Sequence, residues 1–249
     1  MFQYSDAEKL WLPISLGIII LICIILGFAL KGKSEKVKRI PQMIIAIIIL
    51  VLEVIKQIYH IVLGDYTTWH IPLHFCSLFL FFYPLAEFSR GRVRECGQAL
   101  AFITSFMFVA CFYLMPSGVI GTSTERVFTD FNAFHTYFYH HLVILYFGLT
   151  LTLRTYTPKY KHALYVWIGL TAYFAVAVPM SFILNENYCN ILTCSIDFIE
   201  NWRLTFGHIP YLIGMYAFGI TLGCAGMLLI SWIYKIILKK VRWKELNKI

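Results

Sequence analysis

The sequence predicts an all-α protein, a polytopic integral membrane bundle of seven transmembrane helices with its N-terminus outside and its C-terminus in the cytoplasm. Three observations predict this fold class. The 249 residues are 59% hydrophobic and 14% charged, with a mean hydropathy of +0.72, whereas soluble proteins carry about 25% charged residues. Seven apolar stretches approach the length of about 20 residues that a helix needs to cross a bilayer. The basic residues are concentrated in alternate connections between those stretches.

The seven predicted helices form a single membrane domain that covers residues 1–249. The first is not a cleavable signal peptide, because Asp6 and Glu8 precede it instead of a basic run, and no small-residue cleavage site follows it. A basic cytoplasmic tail, residues 233–249, follows the last helix. The predicted helices lie near residues 11–30, 41–63, 71–88, 96–115, 134–153, 163–184 and 209–232.

The positions of the basic residues predict the orientation of each helix in turn. Basic clusters follow the first, third, fifth and seventh helices, at residues 31–39, 90–94, 154–161 and 235–248, and together hold 17 of the 21 Lys and Arg residues. Short loops rich in Lys and Arg stay on the cytoplasmic side of a membrane. The net charge of +8 is therefore a topology signal. This reading excludes a nucleic-acid partner and predicts a multi-pass protein of the cell membrane.

The tail contains Trp232 and Trp243 among its basic residues. One expectation is that the tail lies as an interfacial helix on anionic lipid headgroups. The other is that it is only the cluster of basic residues that usually follows the cytoplasmic end of a membrane helix.

Polar residues share one depth in the predicted bundle, close to its outer surface. Glu53 lies near the middle of the second helix, and Gln57 and His60 follow at i+4 and i+7 on the same stripe. A charged side chain at the centre of a membrane helix costs about 2.5–3.5 kcal/mol, so the stripe is expected to face a polar cavity open to the outer leaflet. The alternative is a set of hydrogen bonds that only hold the helices together. Seven of the eight histidines map to the same outer half: His60, His70, His74, His135, His140, His141 and His208.

The seven cysteines fall into three groups. Cys76 lies in the histidine-rich band, just after Pro72. Cys189 and Cys194 lie in a predicted outer loop, where a disulfide is one of two open possibilities. The remaining four are expected to be small packing residues: Cys23, Cys96, Cys111 and Cys224.

The run Leu73-His74-Phe75-Cys76-Ser77-Leu78, preceded by His70 and Pro72, resembles the Leu-Pro-Leu-His-Leu-Cys signature of the YwaF-like bacterial membrane proteins. That family is similar to a eukaryotic multi-pass membrane acyltransferase that remodels ether phospholipids. The resemblance spans nearly the whole chain. Its further matches are Glu53-Val54, Tyr139-His140-His141, Tyr146, Asn187, Asn190, Cys194, Trp202-Arg203 and Gly207-His208.

The resemblance implies a phospholipid-directed acyltransferase, or a lipase if water replaces the acceptor, with Cys76 as nucleophile and His141 as base. It implies membrane phospholipids as partners and requires no cofactor or metal. A histidine beside a cysteine suits this chemistry, because the thiolate is the reactive form. The residues expected to support catalysis or to bind substrate are Glu53, Gln57, His60, His74, His140, Asn187 and His208.

Spacing limits how many of these groups face one cavity. On an ideal helix His74 and Cys76 point about 200° apart, and His140 and His141 point about 100° apart. One member of each pair is therefore expected to face the cavity, and the sequence leaves open which one.

Two other functions remain open at this point. The His70-x-x-x-His74 pair has the i, i+4 spacing with which one helix supplies two zinc ligands, and His141 or His208 as a third ligand would give a zinc-dependent membrane lipid hydrolase. Alternatively, Glu53, Lys56 and the histidines would form the pathway of a proton-coupled transporter.

Overall fold

The computed structural model describes residues 4–121, 123–194 and 196–246, with side chains described except at residues 117, 118 and 238–246. This part of the chain is helical and contains no β-strand. The helices are α1 (Asp6–Ala29), α2 (Glu35–Lys38), α3 (Ile40–Leu63), α4 (Leu78–Phe88), α5 (Gly91–Leu114), α6 (Pro116–Ile120), α7 (Ser123–Arg126), α8 (Phe131–Leu153), α9 (His162–Leu184), α10 (Asp197–Phe206) and α11 (His208–Leu246). Three 3₁₀ turns join them, at Thr68–His70, Phe75–Ser77 and Tyr188–Asn190.

Within the described ranges, five helical segments are long and apolar enough to cross a membrane. The prediction of an integral membrane protein is therefore confirmed. A sixth apolar helix, Phe75–Phe88, is shorter. Helix α8 has 23 residues but is not among the segments that are both long and apolar enough to cross a membrane. The five segments are Asp6–Ala29, Glu35–Leu63, Gly91–Leu114, His162–Leu184 and His208–Ile237.

The third predicted helix, residues 71–88, is shorter than expected. Its α-helical part begins at Leu78, and Ile71 is extended at φ −63° and ψ 129°. Pro72 explains the difference, because proline lacks an N–H and forces the residue before it away from the helical region. His70, His74 and Cys76 therefore do not share one regular helix, and the ideal-helix angle between His74 and Cys76 does not apply.

Other helix ends differ from the prediction in smaller ways. Helix α8 begins at Phe131 instead of residue 134, because the Asp130 carboxylate accepts a 2.8 Å hydrogen bond from Ala133 N–H and caps it. The last helix continues to Leu246, so the backbone of the tail is helical as far as that residue. The predicted contacts of its basic side chains from residue 239 onwards, and of Trp243, lie outside the described side chains.

The chain divides into two compact units. The first consists of residues 1–72 and 76–156, and the second of residues 73–75 and 157–249. In the first unit α5 packs tightly against α4. A Cβ atom on Gly97 would come within 2.6 Å of the backbone of Leu85 and Ala86. The second unit is built on α9 and α11, where Gly223 of α11 lies against Val166 and Leu170.

A buried polar network lies at one end of the first unit. Arg39 donates to the carbonyls of Ala86 and Glu87, which end α4, and pairs with the Glu87 carboxylate at 2.8 Å. Tyr146 OH donates to the same carboxylate at 2.7 Å, and its ring stacks on Tyr83 with centroids 3.7 Å apart. The network thus satisfies the carbonyls at the end of α4 and joins α3, α4 and α8.

Candidate functional site

The polar stripe of α3 forms the centre of a cluster in the first unit. Glu53 is 7% exposed, and Lys56 Nζ lies 2.8 Å from its carboxylate. Gln57 Nε2 donates to Glu53 Oε1 at 2.6 Å and to the His70 carbonyl at 2.7 Å. Glu53 is therefore bonded to both Lys56 and Gln57. The second hydrogen bond of Gln57 connects α3 to the turn that precedes Pro72.

His60 extends this cluster towards the end of α3. Its Nδ1 lies 2.9 Å from Asp65 Oδ1, and its Nε2 lies 2.7 Å from Asn132 Oδ1. The ring lies against that of His70, with the centroids 3.8 Å apart. His60 is buried, and its contacts join α3 to the beginning of α8.

His70 is held by the backbone of its own turn. Its Nδ1 accepts a 3.0 Å hydrogen bond from Thr67 N–H, which places its proton on Nε2. Burial lowers the pKa of His70 below its ordinary value of 6.5, and the neighbouring His60 lowers it further. Because a buried imidazolium is disfavoured, the neutral form of His70 is the one that fits this turn.

His135 of α8 reaches the same cluster. Its Nε2 lies 3.9 Å from Glu53 Oε2. This atom is buried and has no hydrogen-bond partner within the described part of the chain. His135 belongs to the histidine-rich band of the sequence but was not among the predicted site residues. One signal was available: His135 precedes Tyr139 by four residues, so both lie on one face of α8.

Cys76 lies in the turn Phe75–Ser77, between Pro72 and α4. Tyr139 OH donates to the Cys76 carbonyl at 3.0 Å. The Cys76 thiol is free and lies within electrostatic range of both Lys56 and Glu53. The structure thus brings Cys76, Glu53 and Tyr139 into one part of the first unit.

The two adjacent histidines of α8 point to different neighbours. His141 Nδ1 lies 2.7 Å from the Tyr137 carbonyl, and its Nε2 lies 2.8 Å from Ser15 Oγ of α1. The His140 ring packs 5.0 Å from Phe108 of α5. The hydrogen bonds of His141 therefore go to α1 and to its own helix rather than to Cys76.

Three predicted site residues, His74, Asn187 and His208, belong to the second unit. The Asn187 amide donates to Thr193 O and Oγ1, both at 3.0 Å, and its Oδ1 accepts from the N–H groups of Leu192 and Thr193. Asn187 thus organises its own loop. The His74 ring packs on Tyr188, with centroids 5.1 Å apart, and the His208 ring on Phe182 at 5.2 Å.

Cys189 and Cys194, which the sequence places in a predicted outer loop, are both free thiols, so the disulfide alternative is not realised. The Cys189 sulfur lies 2.7 Å from Tyr173 OH. Cys194 is buried, and its N–H donates to Glu200 at 2.8 Å.

The predicted pair of zinc ligands on one helix, His70 and His74, is also not formed. His70 ends a 3₁₀ turn, and His74 lies outside the helices on either side of it. Among the residues that the structure describes, no three His, Cys, Asp or Glu side chains are grouped so that they could hold a metal ion.

Helices of membrane-spanning length and a buried polar cluster beside a free thiol define a multi-pass helical membrane protein with one candidate site in its first unit. The chain belongs to the TMEM164 family, whose sequence pattern matches residues 3–234. No curated protein and no solved structure matches the chain.

Proposed function

We propose that the chain crosses the cell membrane seven times with its N-terminus outside, and that it is a YwaF-like acyltransferase acting on membrane phospholipids through Cys76. If water replaces the acceptor, the same site is a lipase. The observation that carries the proposal is the ion pair between the buried Glu53 and the half-buried Lys56. His135 lies 3.9 Å from Glu53, and the free Cys76 thiol is within electrostatic range of both charges. Charged side chains inside a membrane are costly and commonly mark function.

The break in the helix before Cys76 supports a cavity at this point. Non-helical backbone at membrane depth is tolerated where it is buried in protein or lines a water-filled cavity. Here Gln57 satisfies the His70 carbonyl and Tyr139 satisfies the Cys76 carbonyl. A thiol on such a segment would be open to a lipid ester without breaking regular helical hydrogen bonds.

The proposed reaction has two half-reactions. In the first, a histidine takes the thiol proton, and the sulfur of Cys76 attacks the carbonyl carbon of a phospholipid ester. The ester C–O bond breaks, the lysolipid oxygen receives the proton from the histidine, and a thioester remains on Cys76. In the second, the same histidine takes the proton of an acceptor hydroxyl, whose oxygen attacks the thioester. The C–S bond breaks, and the histidine returns the proton to the sulfur of Cys76.

Two histidines are candidates for the base. The family resemblance implies His141, whereas the contacts favour His135, because its Nε2 is unpartnered and faces Glu53 at 3.9 Å. A carboxylate beside a histidine stabilises the imidazolium that forms during proton transfer. Gln57 already donates its amide hydrogens to Glu53 and His70, so we assign it a positioning role.

The test is intact-mass spectrometry of the full chain after incubation in phospholipid vesicles. Wild type and Cys111→Ala, which removes an exposed cysteine on α5, should gain a fatty-acyl mass that hydroxylamine removes. Cys76→Ala should gain none. An acyl adduct that persists in Cys76→Ala would rule out this nucleophile. The same measurement on His135→Ala and His141→Ala identifies the base. The base is the histidine whose replacement abolishes the acyl adduct although the variant still folds.

The buried Glu53–Lys56 pair favours one alternative function, a proton-coupled transporter. In that case sealed vesicles should show proton or solute flux that disappears in Glu53→Gln and is unchanged in Cys76→Ala. Acyl-adduct formation and flux therefore depend on different residues, which separates the two functions.

A further inference from the structure

Helices α1 and α8 pack together in the first unit and bring a serine and a histidine into contact. Ser15 Oγ of α1 lies 2.8 Å from His141 Nε2 of α8, and His141 Nδ1 lies 2.7 Å from the Tyr137 carbonyl. His141 is 8% exposed and Ser15 is half-buried. A nucleophile within hydrogen-bond reach of a base that is itself oriented by a third group is the arrangement of enzymes that form a covalent intermediate.

The hydrogen bonds define which nitrogen of His141 can accept a proton. A backbone carbonyl only accepts hydrogen bonds, so the hydrogen of the neutral ring is on Nδ1, which donates it to Tyr137. Nε2 then carries the lone pair, and it faces the Ser15 hydroxyl. The hydroxyl also lies 3.0 Å from the Leu12 carbonyl, which is farther than the ring nitrogen. His141 Nε2 is therefore the atom that can take the Ser15 proton, as the general base of a serine nucleophile does.

Two tyrosines lie beside this pair. The Tyr137 side chain is hydrogen-bonded to Ser15, and its ring packs on His141 with centroids 4.0 Å apart. Tyr113 lies within electrostatic range of Tyr137, and its hydroxyl is buried without a hydrogen-bond partner in the described part of the chain. Leaving a buried hydroxyl without a partner is costly. Tyr113 OH is thus available to donate to the oxygen that becomes negative when an ester carbonyl is attacked.

The position of Ser15 along α1 indicates a class of substrate. Trp11 lies near the beginning of this membrane-length helix, and tryptophan is typical of the membrane–water interface. Ser15 is four residues, or about 6 Å, farther along the helix. The neighbouring Ile14 and Ile18 are 43% and 53% exposed. The ester group of a membrane lipid, which joins its headgroup to its acyl chains, fits this depth better than an ester dissolved in water.

We propose that Ser15 and His141 form a second catalytic pair, which hydrolyses carboxylic esters of membrane lipids. In the first step His141 Nε2 takes the Ser15 proton and Ser15 Oγ bonds to the ester carbonyl carbon. The ester C–O bond breaks, and the departing alcohol receives the proton. In the second step His141 takes a proton from water, whose oxygen attacks the acyl-serine. The C–Oγ bond breaks, a fatty acid leaves, and the proton returns to Ser15.

This reaction goes beyond the one proposed for Cys76, because it uses a different nucleophile on a different helix. It assigns His141 to Ser15, so the base of the Cys76 reaction is His135. The two reactions can be tested separately, since each forms its covalent intermediate on its own residue.

The experiment treats the full chain in phosphatidylcholine vesicles with a long-chain alkyl fluorophosphonate, which labels activated serines. Ser15 Oγ bonds to phosphorus, fluoride leaves and His141 takes the proton, and peptide mass spectrometry locates the adduct. Wild type and Cys76→Ala should be labelled at Ser15, whereas Ser15→Ala should lose this adduct. The matched control is Ser89→Ala, which removes another half-buried serine whose hydroxyl donates to the Leu85 carbonyl, and it should be labelled like wild type.

His141→Gln distinguishes a catalytic pair from an ordinary hydrogen bond between helices. Glutamine can still bond to Ser15 but does not take up its proton, so labelling should slow by about 100-fold or more. Helicity and a single size-exclusion peak check that the variant folds. Heat-unfolded wild type is the second comparison and should lose the label at Ser15, because unfolding separates the two residues.

The absence of an adduct on Ser15 in folded wild type would overturn the proposal. Equal labelling rates in wild type and His141→Gln, or in folded and heat-unfolded wild type, would also overturn it. The acyl adduct on Cys76 should persist in Ser15→Ala, so a failure of this proposal is distinguishable from a failure of the Cys76 reaction.

Discussion

The Glu53 and Lys56 side chains form an ion pair that is largely withdrawn from solvent, with 10% and 15% of the two side chains exposed. Removing one partner of a buried pair leaves an uncompensated charge and destabilises a protein by about 3–5 kcal/mol. Glu53→Gln should therefore lower the thermal unfolding midpoint in detergent. The double variant Glu53→Gln/Lys56→Met should recover most of the loss. If the single variant is as stable as wild type, the pair does not contribute to the fold.

His70 gives the site a pH dependence whose sign follows from its lowered pKa. The unfolded chain binds a proton near pH 6.5 and the folded chain does not, so stability is lost as pH falls below that value. The nearby charged groups are Lys56, His60 and Asp65. His70→Asn, which keeps an acceptor for Thr67 N–H, should reduce the loss of unfolding midpoint between pH 7 and pH 5. If the unfolding midpoint falls by the same amount between pH 7 and pH 5 in wild type and in His70→Asn, this prediction is wrong.

Single residues also show how far the sequence predicts the candidate site. The shared face of Glu53 and Gln57 follows from helical periodicity alone and is seen in their direct hydrogen bond. The partners of His135 and His141 depend on the rotation of α8 about its axis. That rotation is set by packing against α1, α3 and α5, which no local pattern of the sequence specifies.

At the scale of elements, the packing of α4 on α5 depends on Gly97. A Cβ atom there would meet backbone atoms of Leu85 and Ala86 at 2.6 Å, and backbone cannot move aside as a side chain can. Gly97→Ala should therefore destabilise the protein, by about 1–3 kcal/mol as for other overpacked sites. Gly17→Ala in α1 is the matched control, because a Cβ at Gly17 meets nothing within 4 Å. Thermal unfolding of both variants in the same detergent measures the difference, and equal midpoints would contradict the tight contact.

The sequence predicts a helix correctly wherever an apolar stretch is long enough to cross a membrane. It does not reveal the irregular stretch between His70 and Leu78, because the largely apolar residues from Ile71 to Phe88 look like one membrane helix and hide the effect of Pro72 on the backbone. Likewise, the two longest predicted connections contain α6, α7 and α10. These helices have 5, 4 and 10 residues, and a length criterion for membrane segments does not detect helices this short.

For the whole molecule, the number of crossings fixes which side of the membrane each connection faces. If α4 and α8 both cross, the segment 116–130 lies outside. If neither crosses, the same segment lies in the cytoplasm; with the proposed N-terminus outside, the C-terminus is cytoplasmic in both cases. Of the Lys and Arg residues, this segment carries only Arg126, whereas 154–161 carries three, and the positive-inside rule therefore favours seven crossings.

An epitope tag inserted after Gly121, an exposed residue in this segment, tests that topology directly. Antibody should label the tag on intact cells without an outer barrier, or on protoplasts, whereas a tag at the C-terminus should be labelled only after permeabilisation. The C-terminal tag is the control for membrane integrity, because it lies inside for seven crossings and for five. Labelling of the Gly121 tag only after permeabilisation would mean that α4 and α8 do not both cross.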